Sequence, residues 1–286
     1  DEIFYIYVVD DDNILKGRLS LKKMILSPTS TKIQSIYNPD VTYVTTDEPA
    51  ESVGRIMQKY DLVAIPVVDS IGRLVGRITI DDVVDVIREE AEKDYQMMSG
   101  ISQDVESSDT IWDQTKARLP WLIIGLFGGM LAAYMISFYE ADIALFPATA
   151  MFIPVITAMG GNVGIQSSAI VVKGLASNTL TSKNILQSIS KEISCAVINA
   201  CICSSIIFIL SLCFNLTSLA MPITVTISLF IVIMFASMFG TAFPLLLNKL
   251  KIDPALATGP FITLTNDIIG LNIYLFTGKA ILGWLL

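Results

Sequence analysis

Up to about residue 118 the chain alternates short apolar runs with polar turns; beyond it the pattern changes to five long apolar stretches. These lie at roughly 119–139, 144–172, 185–213, 219–248 and 255–280. Each is long enough to cross about 30 Å of hydrocarbon at ~1.5 Å per helical residue, so five transmembrane helices are predicted. The first part has the shorter periods of strands. Tyr5-Ile6-Tyr7-Val8-Val9-Asp10 followed by Leu15-Lys16-Gly17-Arg18-Leu19-Ser20 returns 59 residues later as Ala64-Ile65-Pro66-Val67-Val68-Asp69 and Leu74-Val75-Gly76-Arg77-Ile78-Thr79. Each copy predicts a strand, a turn, a second strand and a helix. Between the copies, Ala50 to Tyr60 places Val53, Ile56 and Met57 on one helical face, after the start signal Thr46-Asp47-Glu48-Pro49. The predicted fold class is an α-helical membrane protein with an α+β soluble unit ahead of it.

Charge sharpens this division. Residues 1–118 hold 13 Lys/Arg against 22 Asp/Glu, a net −9, whereas residues 119–286 hold 6 against 5. A unit this acidic is a poor match for nucleic acid or anionic lipid, both of which are bound through Lys and Arg, and it suits cations. The chain contains no histidine, and Cys195, Cys201, Cys203 and Cys213 all fall in one apolar stretch without metal-type spacing; they read as small packing residues. No nucleophile–base pair or metal-hydrolase motif appears, which argues against an enzyme. There is no signal peptide, and the start at Asp1 with an incomplete first repeat is read as the loss of upstream sequence.

The candidate chemistry centres on carboxylates. Asp267 sits in the middle of the last apolar stretch, where an ionised group costs roughly 2.5–3.5 kcal/mol on insertion scales. Apart from it, the five apolar cores are read as essentially uncharged, so a cation, a proton or a second copy of the site must deal with it. Gly259, Thr263, Asp267 and Gly270 share one helical face, Asn266 borders it, and Pro260 is expected to free the carbonyl of Leu256. In the second stretch Pro154, Gly160, Gly161 and Gly164 are expected to loosen the helix, while Asn162 and Gln166, four apart, present amides on one side. Ahead of the membrane, Asp81, Asp82, Asp85, Glu89, Glu90, Glu92 and Asp94 form an acidic helix whose like charges a divalent cation would bridge. Thr110-Ile111-Trp112-Asp113 opens a short amphipathic helix over 108–119, with Arg118 and Trp121 at the membrane boundary. Lys173 and Lys183 fall in the loop between the second and third stretches, with Lys191 just inside the third, and Lys249 and Lys251 fall between the fourth and fifth. The positive-inside rule then places the amino-terminal unit in the cytoplasm and the carboxyl end outside.

The strand–turn–strand–helix repeats resemble a CBS pair. That resemblance implies an adenine nucleotide, ATP, held at Thr79 and Asp82; the first repeat has Ser20 and Lys23 at those positions. The segments IPVITAMGGNVGIQSS and DPALATGPFITLTNDIIGLNIY behind such a pair resemble the MgtE-type magnesium transporter/channel family. The resemblance implies a homodimer in the lipid bilayer, with a pore on its axis lined by the second and fifth spans. It implies a site for hydrated Mg2+ at Asp267 of both subunits, with Thr263 and Asn162 in the lining. It also implies regulatory Mg2+ at Glu89, Glu90, Glu92 and Asp94. The expected organisation is a CBS-pair unit over 1–94, a linker and gating helix over 95–118, and a pore domain over 119–286. The expected function is Mg2+ entry into the cytosol of a bacterium across its inner membrane, down the membrane potential and closed by cytosolic Mg2+. Two alternatives stay open: a proton- or sodium-coupled divalent cation exchanger, and a CBS membrane sensor without transport. Family members usually carry a further acidic helical domain in front, and some place an amide at the position of Gly259.

Overall fold

The computed structural model describes residues 5–177, 179–180, 184–213, 219–257 and 259–285. The chain forms two compact units, 1–93 and 94–286. In the first unit the repeat is visible as two hairpins. Strands β1 (Tyr5–Val9) and β2 (Leu15–Ser20) pair antiparallel, with a shift in register between Val8 and Val9. Strands β4 (Ala64–Val68) and β5 (Leu74–Thr79) do the same, with the shift between Val67 and Val68. The short strand β3 (Val44–Thr45) adds parallel to β4.

The two turns are built identically. The Asp10 carboxylate accepts from the amides of Asp12 and Ile14 at 3.1 and 2.8 Å, and Asp69 accepts from Ile71 and Arg73 at the same two distances. An aspartate bonding the backbone two residues on is the reason such turns favour it. The turns also dock on each other: the Leu15 amide donates to Gly72 O at 3.0 Å and the Leu74 amide to Asn13 O at 2.9 Å.

Helix α1 (Leu21–Leu26) closes the first repeat and α3 (Ile80–Met98) the second. Helix α2 (Ala50–Lys59) is the predicted intervening helix. It buries Val53 and Met57 against Val44, Ile65 and Val83.

The second unit takes the end of α3 and then α4 (Ile111–Ser137), α5 (Glu140–Leu145), α6 (Ala148–Ala176), α7 (Ile185–Leu212), α8 (Ala220–Lys249) and α9 (Pro260–Leu285). Among the described residues α4, α6, α7 and α8 are long and apolar enough to cross a membrane. The 26 residues of α9 make a fifth long helix, about 39 Å at ~1.5 Å per residue. Helix α8 is the hub, packed on α6, α7 and α9, and α4 leans mainly on α9. Their shared core includes Phe152, Ile156, Val225, Leu229, Leu271 and Tyr274. The Tyr274 hydroxyl, wholly buried, donates to Thr149 O at 2.8 Å, as a buried phenol must find a partner. Outward faces are apolar: Leu126, Phe127 and Met130 of α4 and Ile198, Ile202 and Ile209 of α7 are exposed, as expected where the solvent is lipid.

Three sequence expectations change. The short helix over 108–119 is the start of α4, capped by Thr110, whose hydroxyl accepts from the Asp113 amide at 3.3 Å. Helix and first span are thus one rod, because Pro120 falls inside it without ending it. The glycines of the second span do not loosen it: α6 is continuous through Pro154, Gly160, Gly161 and Gly164. Pro260 frees no carbonyl of Leu256 inside a helix, because it is the first residue of α9 and follows a 3-10 turn over Pro254–Ala257. Proline suits that position, where its missing N–H has no helical partner to lose.

Candidate cation site and the acidic helix

Asp267 is half-buried on α9 and lies in the wall of a cavity of about 800 Å3. Helix α9 contributes Pro260, Thr263, Leu264 and Asp267 to this wall, with Gly259 just ahead of it. From α4 come Arg118, Trp121 and a file of glycines at 125, 128 and 129; α6 gives Ile165. Of the predicted stripe, Gly259, Thr263 and Asp267 line this wall, whereas Gly270 is buried and faces Val232 of α8. Thr263 sits one turn before Asp267, and both its amide and its hydroxyl give their hydrogen bonds to Gly259 O, each at 3.0 Å. Its hydroxyl oxygen keeps lone pairs for a further donor.

Among the described residues Asp267 has no ion-pair or hydrogen-bond partner. One basic residue, Arg118, shares the cavity wall, and it hydrogen-bonds Gln114 Oε1 at 3.4 Å.

Gly161 of α6 packs against this face of α9. A side chain at 161 would lie 3.5 Å from Asp267 Oδ1 and 3.2 Å from Thr263 Cγ2. Asn162 and Gln166 share an exposed face of α6, as predicted, but neither lines the cavity of a single subunit. Asn266, the neighbour of Asp267, turns the other way. It is 1% exposed, packs beside Gly160 and Gly164, and has no hydrogen-bond partner on either amide atom among the described residues.

Where α9 begins, two glycines allow a close approach. Gly259 has φ +67° and faces the Met98 carbonyl, whose carbon lies 3.1 Å from where a side chain would start. Gly100, at φ +78°, stands likewise against Pro260 Cγ at 2.6 Å. Any other residue meets both a disfavoured backbone and a filled space.

The acidic helix is less bare than its sequence implies. Glu92 pairs with Arg88 at 2.9 Å and Glu90 with Lys93 at 3.4 Å, both within α3. Glu89 is exposed, and Asp94 is half-buried with a polar partner. No three carboxylates among the described residues converge as a ready metal site. At the head of α3, Thr79 Oγ1 and the Thr79 amide donate to Asp82 Oδ2 at 2.6 and 3.0 Å. Ser20, the counterpart of Thr79, makes no side-chain cap bond to its helix.

The Thr79 hydroxyl, and then its amide, hold the Asp82 carboxyl below its ordinary value of 3.8. A depressed carboxyl stabilises the fold above its unfolded value, and that contribution is lost as pH falls through the folded one. The acid limb of unfolding below about pH 4 is therefore expected to be shallower in Asp82→Asn than in the parent, measured by circular dichroism.

One intramembrane carboxylate escaped the sequence reading. Glu192 lies eight residues into α7, inside a stretch taken as uncharged, and accepts from Ser167 Oγ at 2.6 Å and Ser237 Oγ at 3.1 Å. Lys279, near the end of α9, is a second omitted charge, and it pairs with Asp142 at 3.0 Å. Lys183, used for orientation, lies outside the described residues.

A hairpin-repeat module followed by long apolar helices around an unpaired carboxylate defines a multi-span α-helical membrane protein with an α+β domain ahead of it. Residues 153–277 match the family model described as MgtE, divalent cation transporter, and residues 33–89 match the CBS domain. The magnesium transporter MgtE of Bacillus subtilis is 36% identical over 274 residues, covering 96% of this chain and 60% of that protein. That of Thermus thermophilus is 34% identical over 288 residues, 99% of this chain and 63% of its own. A crystal structure of the cytosolic domain of the Mg2+ channel MgtE in complex with ATP aligns over 30% of this chain and 35% of its own, 51% identical, with a TM-score of 0.29. Residues 153–277 are thus similar to the MgtE divalent cation transporter family, and the chain spans about 60% of the length of the curated relatives it matches.

Proposed function

We propose that this chain is a magnesium-selective channel or transporter of a bacterial inner membrane, working as a homodimer. The observation that carries this is Asp267, half-buried and unpartnered among the described residues, facing a cavity about 800 Å3 in volume. Magnesium dehydrates reluctantly and prefers oxygen ligands in octahedral array. A carboxylate from each of two subunits offers charge −2 to a dication that keeps its waters, and the Thr263 oxygen is positioned to accept hydrogen bonds from them. Asn162, on the exposed side of α6, would join the lining only from the second subunit's side of the pore. An inside-negative potential of 100 mV supplies about 4.6 kcal/mol for a dication, at ~2.3 per elementary charge, so entry needs no coupled ion. The amino-terminal unit faces the cytosol and the carboxyl end faces outside.

Closure by cytosolic Mg2+ is assigned to Glu89, Glu90, Glu92 and Asp94 of α3. A dication competing for Glu90 and Glu92 would displace their pairs with Lys93 and Arg88, which are solvent-exposed and screened, and so weak. Replacing Glu89, Glu90 and Glu92 by glutamine together is expected to raise the closing Mg2+ concentration by about tenfold, read as current against cytosolic Mg2+. An unchanged closing concentration would count against the sensor.

ATP is the further ligand of the soluble unit. The Thr79 hydroxyl and Asp82 carboxylate at the head of α3 would hold its ribose, Asp82 Oδ1 taking no part in the cap.

The test of the whole reading is Mg2+ uptake into liposomes that contain only this protein, with Mg2+, pH and Na+ set separately on each face. Flux that follows the potential and ignores both gradients supports it. Flux that needs a proton or sodium gradient replaces it with an exchanger, and no flux leaves a sensor.

A further inference from the structure

Asn266 is a polar side chain that the pathway through Asp267 does not use. It is 1% exposed, and among the described residues neither its amide oxygen nor its amide nitrogen has a hydrogen-bond partner. The packing around both atoms is closed to a sphere the size of water, which leaves no seat for a bridging molecule. A buried donor or acceptor left unpaired carries the whole desolvation penalty of its group, and Asn266 carries it on both.

Neighbouring polar side chains of α9 avoid this. Thr263 donates to Gly259 O at 3.0 Å, Asn272 to Ile268 O at 2.8 Å and Tyr274 to Thr149 O at 2.8 Å. Asn272 shows that an asparagine on this helix can bond the carbonyl four residues back. Asn266 instead aims its amide off the helix, where its Nδ2 fills the space a side chain at Gly164 of α6 would need. The rest of that socket is apolar. Ile262 Cγ2 lies 2.7 Å from where the same Cβ would be, and Val232 Cγ1 lies 3.2 Å from the corresponding position at Gly160.

The α6 side of this seam is a smooth strip. Gly160, Gly161 and Gly164 face Asn266, Thr263 and Asp267 with no side chain to interlock with α9. Helices α6 and α8, by contrast, meet backbone against backbone at Gly164 and Gly240. Close packing resists displacement where shapes interlock, so α8 is fixed on α6 while α9 rests on a surface along which it can turn.

A group unpaired in one arrangement and paired in another shifts the balance toward the second by its own penalty. A source of partners lies one residue along the chain, in the cavity of about 800 Å3 that Asp267 faces.

We propose that Asn266 is a gating residue. Its unpaired amide destabilises the arrangement described here and favours a second one, in which α9 has turned along the glycine strip of α6 so that water from the cavity reaches the amide. That second arrangement is the conducting one. The gating half of the inference rests on the transport reading; the penalty carried by the amide does not.

The experiment takes the purified chain through single-channel recording in planar bilayers at low cytosolic Mg2+, and through thermal unfolding in detergent. Asn266→Leu keeps the branched shape and removes both polar atoms. It is expected to melt higher than the parent and to lower the open fraction about tenfold, the equivalent of one unpaired amide group, with unitary conductance unchanged. Asn266→Ala, which asks for no extra room, is expected to lower the open fraction in the same direction and decides the matter if the leucine does not fit. An open fraction unchanged or raised in both variants would overturn the proposal. So would a lower unitary conductance at the parent's open fraction, which would make Asn266 part of the passage, or a lower melting temperature in both variants, which would mean that the amide stabilises this arrangement. Absence of current from the parent would sink the transport reading and the gating half together, while the melting comparison still decides whether the amide carries a penalty.

Discussion

Asp267→Asn is expected to reduce Mg2+ flux into liposomes to the level of protein-free vesicles, a loss of at least about a hundredfold. The substitution keeps shape and hydrogen-bonding capacity and removes only charge. At an effective dielectric of about 20, a carboxylate ~5 Å from a dication, a separation that leaves room for a water, attracts it by roughly 7 kcal/mol. In the proposed dimer that attraction is lost twice. Among the described residues no other carboxylate lines the same cavity, and Arg118 in its wall would then leave the net charge positive. The folding control is built in, because an unpartnered half-buried carboxylate is a cost to the bundle: the variant is expected to melt no lower than the parent. Flux within threefold of the parent would remove Asp267 from the pathway and with it the proposed function.

The second large effect concerns assembly of the bundle. Gly240→Ala is expected to abolish a monodisperse, folded preparation. A methyl at 240 would press on the backbone of Gly164, with its carbonyl carbon and Cα both 3.1 Å away and its oxygen closer still. Overpacking relieved by a side chain costs about 1–3 kcal/mol. Here nothing flexible stands in the way, so α6 and α8 must part, and Gly164 is in turn pressed by Asn266 and by Ile262 Cγ2, which would lie 2.7 Å from a Cβ there. Gly283→Ala, with nothing within 4 Å, is the control and is expected to fold normally. Size-exclusion profiles and melting curves of the two variants make the comparison. A well-folded Gly240→Ala protein would mean that the α6–α8 seam is looser than described.

How much the sequence discloses depends on how local the cause is. The repeat over 5–20 and 64–79 was legible down to its turns, since Asp10 and Asp69 act on amides two and four residues on. Span lengths were legible too, because hydrophobic thickness is read from one segment at a time. Thr263 and Asp267 share a face by helical period alone. What long-range packing decides was not legible. Pro260 looked like a break within a helix, but the left-handed turn at Gly259 is set against Met98, more than 150 positions earlier. The glycines of α6 looked like a loosened helix and are seats for Val232, Asn266, Thr263 and Gly240 from other helices. Glu192 carries the same signal as Asp267, a carboxylate within an apolar stretch. It was passed over because nothing local marks it; its meaning comes from Ser167 and Ser237, brought in by two other helices. Asn162 shows the converse limit: its face was predicted correctly, while its neighbours in one subunit do not include the cavity.

The contact between Met98 and Gly259 has a mechanical consequence. The end of α3 meets the turn ahead of α9 where Gly259 faces the Met98 carbonyl, and Gly100 stands against the Pro260 ring beside it. That close approach ties the end of α3 to the turn whose Gly259 carbonyl accepts from Thr263, one turn from Asp267. Bulk at 259 or 100 would force these two backbones apart.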